Sequence, residues 1–336
     1  MKFGLTATGD ALGSVLAHSV DLGSGRLRKG VVLTADHIRN LDEAGLTEIV
    51  VATLEKDDIA ENDAAQRLAR VLVPDPEEAG LRLTEPFTGR VNLLADGPGV
   101  AVFDVAALEA LNRVHPMITL ATVAPFAQMR AGGMVATIKI ISYAVPRSAL
   151  ERACAAASAS VRLARPVMKT ADLIITEIPG GAGEKGRAAI EARVEALGMK
   201  MAEVCIVPHT EPALASAIRS VHGDLTLILT GSATSDENDV GPSALRAAGG
   251  HVERFGMPVD PGNLLFLGHV SDRPVIGLPG CARAPALNGA DWVLSRVACG
   301  VAITGNDIAA MGIGGLLKEI PTRPQPRNPR SGHRKT

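Results

Sequence analysis

The sequence predicts a doubly wound α/β domain with a mostly parallel sheet, preceded by a smaller α+β domain. Three observations carry that expectation. From about residue 165 onward, β-branched apolar runs alternate with helix-periodic segments, the order expected of parallel strands joined by helices. Before residue 150, short strands and short helices mix without that alternation. The chain has 336 residues, enough for two domains at about 150 residues each, and each can bury a core without disulfide or metal staples. The expected limits are 1–150 for the α+β domain and 165–320 for the α/β domain. Residues 321–336, rich in Pro and Arg and free of acids, read as a disordered basic tail.

In the first domain, Leu12, Val15, Leu16 and Val20 recur at a helix-like spacing, so a helix is expected over 10–20. Residues 26–30 read as a turn, with Gly30 free to take a positive φ. Thr34 is placed to cap a helix that Gly45 stops. A β-branched strand follows over 46–54 and a helix over 62–72, broken by Val73-Pro-Asp-Pro. Strands are expected at 100–104, 117–122 and 134–141, and a helix at 149–159 leads out. The second domain reads as strands at 172–178, 201–207, 225–230 and 252–255, with a hairpin-like pair at 264–270 and 275–278. Its helices are expected at 187–197, 211–221, 243–248 and 287–297.

Composition removes several function classes. Lys and Arg total 34 against 36 Asp and Glu, a net charge of -2 that argues against nucleic-acid binding. Aromatic residues are 2% of the chain, too few for base-stacking platforms. The four cysteines (Cys154, Cys205, Cys281 and Cys299) form no C-x-x-C pair, which fits a reducing compartment better than a zinc site or disulfide framework. No export signal or membrane-spanning apolar run stands out, so the expected location is the cytoplasm, away from membranes.

Ligands of open parallel sheets bind beyond the carboxyl ends of the strands, and three loops fall there. The first, Pro179 to Gly186, contains G-x-G-x-x-G (Gly181, Gly183, Gly186), with Lys185 near a helix start where an anion is welcome. The acid that a dinucleotide site needs after the next strand is missing, and a flexible loop explains the glycines as well. In the second, Thr230, Gly231 and Ser232 offer N–H groups and hydroxyls, while Asp236, Glu237 and Asp239 offer oxygens to Mg²⁺ or to a polar ring edge. The competing reading is a solvated acidic turn capped by Thr234 with Glu237. The third is Gly277 to Arg283: Gly280 allows close approach, Arg283 could clamp an anion, and Cys281 is either a thiol of lowered pKa or simple packing.

Taken in order, these loops resemble the molybdopterin-binding domain of molybdenum insertases, gephyrin and molybdopterin adenylyltransferases. The Thr-x-Gly-Gly-x-Ser-x-Gly-x-x-Asp loop of that family corresponds to Thr230–Asp239, and its Gly-Leu-Pro-Gly-Asn-Pro loop to Gly277–Ala282. The 10–17 stretch is similar to the opening helix of the insertases. Arg26-Leu-Arg-Lys-Gly30, Phe87-Thr-Gly-Arg-Val-Asn92, Gly256–Asn263 and Pro279–Arg283 resemble the molybdopterin-binding half of bacterial cytidylyltransferase fusions most. The likeness spans most of residues 1–320.

The resemblance implies molybdopterin, or a molybdenum-loaded or nucleotide-linked form of it, as ligand. It implies binding through Lys185, Thr230, Gly231, Ser232, Ala233, Asp236, Asp239, Pro279, Gly280, Cys281 and Arg283, with Asp239 as the one transferable catalytic candidate and Asp236 with Asp239 as Mg²⁺ candidates. A molybdenum cofactor cytidylyltransferase is the implied partner, and relatives that form dimers or trimers imply a homo-oligomer. The sequence departs from the family at Ile178, where the insertases carry Asp, and at Asp260-Pro-Gly-Asn263, where they carry two lysines. An active insertase or nucleotidyltransferase is therefore the alternative to a binding protein. A dinucleotide-binding oxidoreductase resting on the three glycines is the second alternative.

Overall fold

The computed structural model describes residues 1–23 and 25–317, so the tail expected at 321–336 lies outside the described residues. The chain divides into two compact units: Met1–Gly97 with Ala101–Leu163, and Pro98–Val100 with the residues from Ala164 onward. The helix Arg147–Ala156 lies in the first unit, where Ala149, Leu150 and Ala153 are buried in its core.

The first unit mixes helices with small sheets. Its four-stranded antiparallel sheet has the order Ile118–Thr122, Met134–Ile140, Arg90–Ala95, Leu81–Leu83. The amphipathic helix Glu61–Leu72 turns Ala64, Ala65, Leu68, Ala69 and Leu72 into the same core. The helix Ala35–Glu43 forms with the expected signals. Thr34 Oγ1 accepts from the His37 N–H while His37 Nδ1 accepts from the Thr34 N–H, and Gly45 takes φ +75 after the last turn. The helix expected over 10–20 is absent. Thr8–Asp10 is one 3₁₀ turn, Gly13 takes φ +78, and Val15–Leu16 joins the strand Glu48–Thr53 instead. Leu12 is 61% exposed, so the helical spacing there was coincidental: the segment buries Ala11 and Leu16 beneath a small sheet rather than along a helix stripe.

The second unit is built on a six-stranded sheet of order Lys200–Pro208, Thr170–Glu177, Leu225–Leu229, Arg273–Leu278, Phe266–Val270, His251–Phe255. The first four strands are parallel and the last two pairings are antiparallel, which confirms an α/β, mostly parallel sheet. Leu225–Leu229 is buried at every position, as expected of a central strand covered on both faces. One face packs on the helices Arg187–Ala196 and Gly289–Ala298 through Ile190, Val194, Val293 and Leu294. The other packs on Glu211–Ser220 and Val240–Ala247 through Leu214, Ile218, Ala244 and Leu245. Phe266 is fully buried in that second layer because two neighbours lack side chains: a Cβ at Gly277 would sit 1.9 Å from its ring, and one at Gly241 2.9 Å.

Candidate functional site

Three strands adjacent in the sheet, Thr170–Glu177, Leu225–Leu229 and Arg273–Leu278, point their carboxyl ends the same way. Each runs into one of the loops singled out in the sequence, so residues 178–186, 230–239 and 279–283 lie side by side along one edge of the unit. That is the edge where parallel sheets hold ligands.

Specific polar ties fix the three loops to one another. The buried Thr176 Oγ1 accepts from the Gly231 N–H at 2.8 Å and shares a hydrogen with His209 Nδ1 at 2.7 Å. Gly231 must be glycine for this approach, since a Cβ there would lie 2.6 Å from the Thr176 carbonyl oxygen. Arg283 donates through Nη1 to the carbonyls of Gly183 (3.1 Å) and Lys185 (2.5 Å), and through Nη2 to that of Thr230 (2.9 Å). Burial lowers its pKa, as expected of a cation drawn partly out of water. The sequence suggested an anion clamp at Arg283; in the structure three of its five donors serve backbone carbonyls, so the residue also ties the loops together. Gly186, with φ +98, makes room for it, because a Cβ there would fall 2.6 Å from Arg283 Cα.

A second arginine, missed in the sequence, completes this framework. Arg193 donates from Nε to Asp291 (2.5 Å), from Nη1 to the carbonyls of Ala189 and Ala282, and from Nη2 to those of Ala284 and Ala286. All five of its donors are used, with its side chain 9% exposed. Nothing local in the sequence marks it, since its partners lie up to 98 positions away.

Asp239 is the N-cap of the helix Val240–Ala247. Its Oδ1 accepts from the Val240 N–H at 2.7 Å and its Oδ2 from the Ser235 N–H at 3.0 Å. The Ser235 N–H is the main cause holding this carboxyl below the usual carboxylate range, with burial opposing it. The capping role expected of Thr234 and Glu237 therefore falls to Asp239, while Thr234 is buried 3.5 Å from the Thr230 hydroxyl. Asp236 is exposed, and its Oδ1 accepts from the Asn238 N–H (2.8 Å) and Nδ2 (3.1 Å). Among the described residues no group of three His, Cys, Asp or Glu side chains could hold a metal ion.

The remaining predicted residues line the edge. Lys185, Ser232, Ala233 and Gly280 are exposed, Gly231 and Cys281 are half-buried, and Thr230 and Pro279 are buried. A Cβ at Gly280 would meet nothing within 4 Å, so the space beside it is open. Two positions where the sequence departs from the insertase pattern serve the fold: the Asn263 amide donates to the Met257 carbonyl at 3.2 Å, and the Asp260 N–H to the Gly315 carbonyl at 2.8 Å. Beside the second loop lies a polar cleft of about 500 Å³ lined by Ser235, Asp236, Glu237, Arg246, Arg254 and Phe255. A more apolar cavity of about 440 Å³, lined in part by Met168, His269, Pro274 and Val301, sits at the amino ends of the parallel strands, away from the three loops.

Residues 167–296 match the family model described as probable molybdopterin binding domain, and residues 6–53 match a domain of unknown function. No curated protein matches the chain. Among solved structures, the chain resembles a molybdopterin biosynthesis MoeA protein from Pyrococcus horikosii at 14% identity, TM-score 0.32, covering 91% of this chain and 76% of that one. It also resembles a molybdenum cofactor biosynthesis protein from Pyrococcus furiosus at 12% identity, TM-score 0.24, covering 92% of this chain and 65% of that one. Within the described residues, no helix is long and apolar enough to cross a membrane. The α/β sheet, its loop-bearing edge and the match of residues 167–296 to the probable molybdopterin binding domain agree with the resemblance read from the sequence.

Proposed function

We propose that the protein binds molybdopterin, or its molybdenum-loaded or nucleotide-linked form, at this edge during cofactor biosynthesis or delivery. The observation that carries the reading is the convergence of the three family-like loops at the ends of three adjacent parallel strands, within the matched residues. The Ser232 and Ala233 N–H groups have no protein acceptor among the described residues, and Lys185 stands exposed, so these supply the donors for a phosphate. Gly231 does not, because its N–H is spent on Thr176. Asp236 and Asp239 keep lone pairs free to accept from pterin N–H groups, and Pro279 to Cys281 form the far wall beside open space. Any magnesium would arrive with the phosphate, held by it more than by the protein.

In this reading the protein binds without turning the pterin over alone. Ile178, Asp260 and Asn263 stand where the resemblance would put an acid and two cations, and the last two are engaged in loop structure. A cytidylyltransferase is the proposed partner, engaged through an interface. The test is extraction of the purified protein for a fluorescent oxidised pterin, followed by titration of the emptied protein with molybdopterin. Saturable binding that Lys185→Ala weakens supports the site. Absence of any pterin, together with no saturable binding, refutes the reading. Incubation with ATP, Mg²⁺ and molybdopterin should give no adenylylated product.

A further inference from the structure

We propose that His251 and His269 form a two-histidine site for one divalent cation of the borderline class, such as Cu²⁺, Ni²⁺ or Zn²⁺, on the edge hairpin of the sheet. The two residues face each other directly in the antiparallel register of His251–Phe255 with Phe266–Val270, so their side chains leave the same face. Their ring centroids lie 5.6 Å apart with the planes tilted by 45°. Two imidazoles bound to one ion at about 2.0–2.1 Å per nitrogen have ring centres no more than roughly 6.5 Å apart, so the observed spacing already falls within reach. Both residues are exposed, so an ion can enter from solvent without opening the fold.

The tautomer of His269 strengthens the assignment. Its Nδ1 lies 2.9 Å from the Ser271 carbonyl oxygen. A carbonyl only accepts, so Nδ1 carries the proton, and in the neutral ring the lone pair is on Nε2. Ligating histidines are typically held in this way, with the far nitrogen donating to a backbone carbonyl. Ser271 supplies that carbonyl from the two-residue turn between Phe266–Val270 and Arg273–Leu278, and it does so at φ +50, a conformation that a serine adopts at a cost. Glu253 and His269 line the same cavity. Glu253 lies two residues from His251, with Oε1 accepting from the Gly305 N–H at 3.1 Å, and Asp272 is exposed in the turn.

Within the described residues no third His, Cys, Asp or Glu completes the set, so the ion keeps open positions for water or for donor atoms of a second molecule. Such a site exchanges its metal readily and ranks cations by their affinity for imidazole, with Cu²⁺ tightest.

The experiment is titration of the full chain with Cu²⁺ at neutral pH, followed by calorimetry and by electron paramagnetic resonance, with Ni²⁺ and Zn²⁺ in parallel. The expected result is one equivalent bound at roughly micromolar Kd, with nitrogen hyperfine structure from imidazole. His251→Ala and His269→Ala should each weaken binding at least tenfold, and both exposed substitutions should leave the thermal unfolding curve in place. One-equivalent binding that persists unchanged in the His251→Ala/His269→Ala double variant assigns the ion to the other histidines and overturns the proposal. So does a wild-type chain that binds none of the three cations more tightly than the double variant.

Discussion

Replacing Arg283 by Lys separates the two duties that a cation at this position could perform. Lysine keeps the positive charge, so an anion-binding role would survive in weakened form and the unliganded protein would be no less stable. The structure gives Arg283 a different duty, since it holds the Gly183, Lys185 and Thr230 carbonyls together with two nitrogens. A lysine nitrogen can reach one of these positions at a time, so about two hydrogen bonds are lost. The side chain is only half-buried, so the lower part of the usual range applies, about 1 kcal/mol for each bond and about 2 kcal/mol in all. For a unit of this size, that lowers Tm by roughly 4–8 °C. Differential scanning calorimetry of the unliganded protein reads it directly. An Arg283→Lys variant whose Tm lies within about 1 °C of wild type would refute the loop-clamp argument.

Four further outcomes follow from the same geometry. Asp239→Asn should weaken pterin binding roughly ten- to a hundredfold by isothermal titration, because a charge-assisted acceptor is lost. The folded pKa of Asp239 is depressed, so its carboxylate contributes stability above the unfolded value of about 3.9 and loses it as pH falls through the folded value. The Tm difference between Asp239→Asn and wild type should therefore narrow between pH 7 and pH 3, and a constant difference would contradict the assignment. Gly231→Ala places a Cβ 2.6 Å from a backbone oxygen and should cost about 1–3 kcal/mol in chemical denaturation. Cys281→Ser should change pterin affinity by no more than about twofold, and a tenfold loss would give the thiol a role in binding.

The sequence made the second unit legible because burial on both faces of a parallel sheet writes each strand as an apolar run. Leu225–Leu229 and Thr170–Glu177 were readable on that ground alone. The 10–20 segment departs from its expected helix because Leu12, Val15, Leu16 and Val20 fit a helical period by chance, and the break at Gly13 is visible only in its backbone. At the candidate site the loops were legible and the duties within them were not. Arg283 reads as free to meet an anion until its partners, up to 100 positions distant, are in view. Thr176 and His209 carried no signal, because their importance lies in meeting Gly231 across the sheet. Asp239 looked chemical in the sequence and proved also to be a helix cap, two readings that a carboxylate with four lone-pair positions can satisfy together.

The saturated guanidinium of Arg193 has a consequence for how a guest is received. It joins the helix Arg187–Ala196 to the backbone of residues 282–286, and Arg283 joins that backbone in turn to the glycine loop. Two sides of the recess are thereby welded into a single jaw whose shape is set before any ligand arrives. The opposing side is tied to this framework at its start, by Arg283 to Thr230 and by Gly231 to Thr176. From Ser235 onward it is braced by turn bonds such as those from Asn238 to Asp236 and from Ser235 to Asp239. Under the proposed function, adjustment to different headgroups on a common pterin core falls mainly to that side. A bare phosphate and a nucleotide-bearing form would meet the same fixed jaw and differ only in how the other side settles around them.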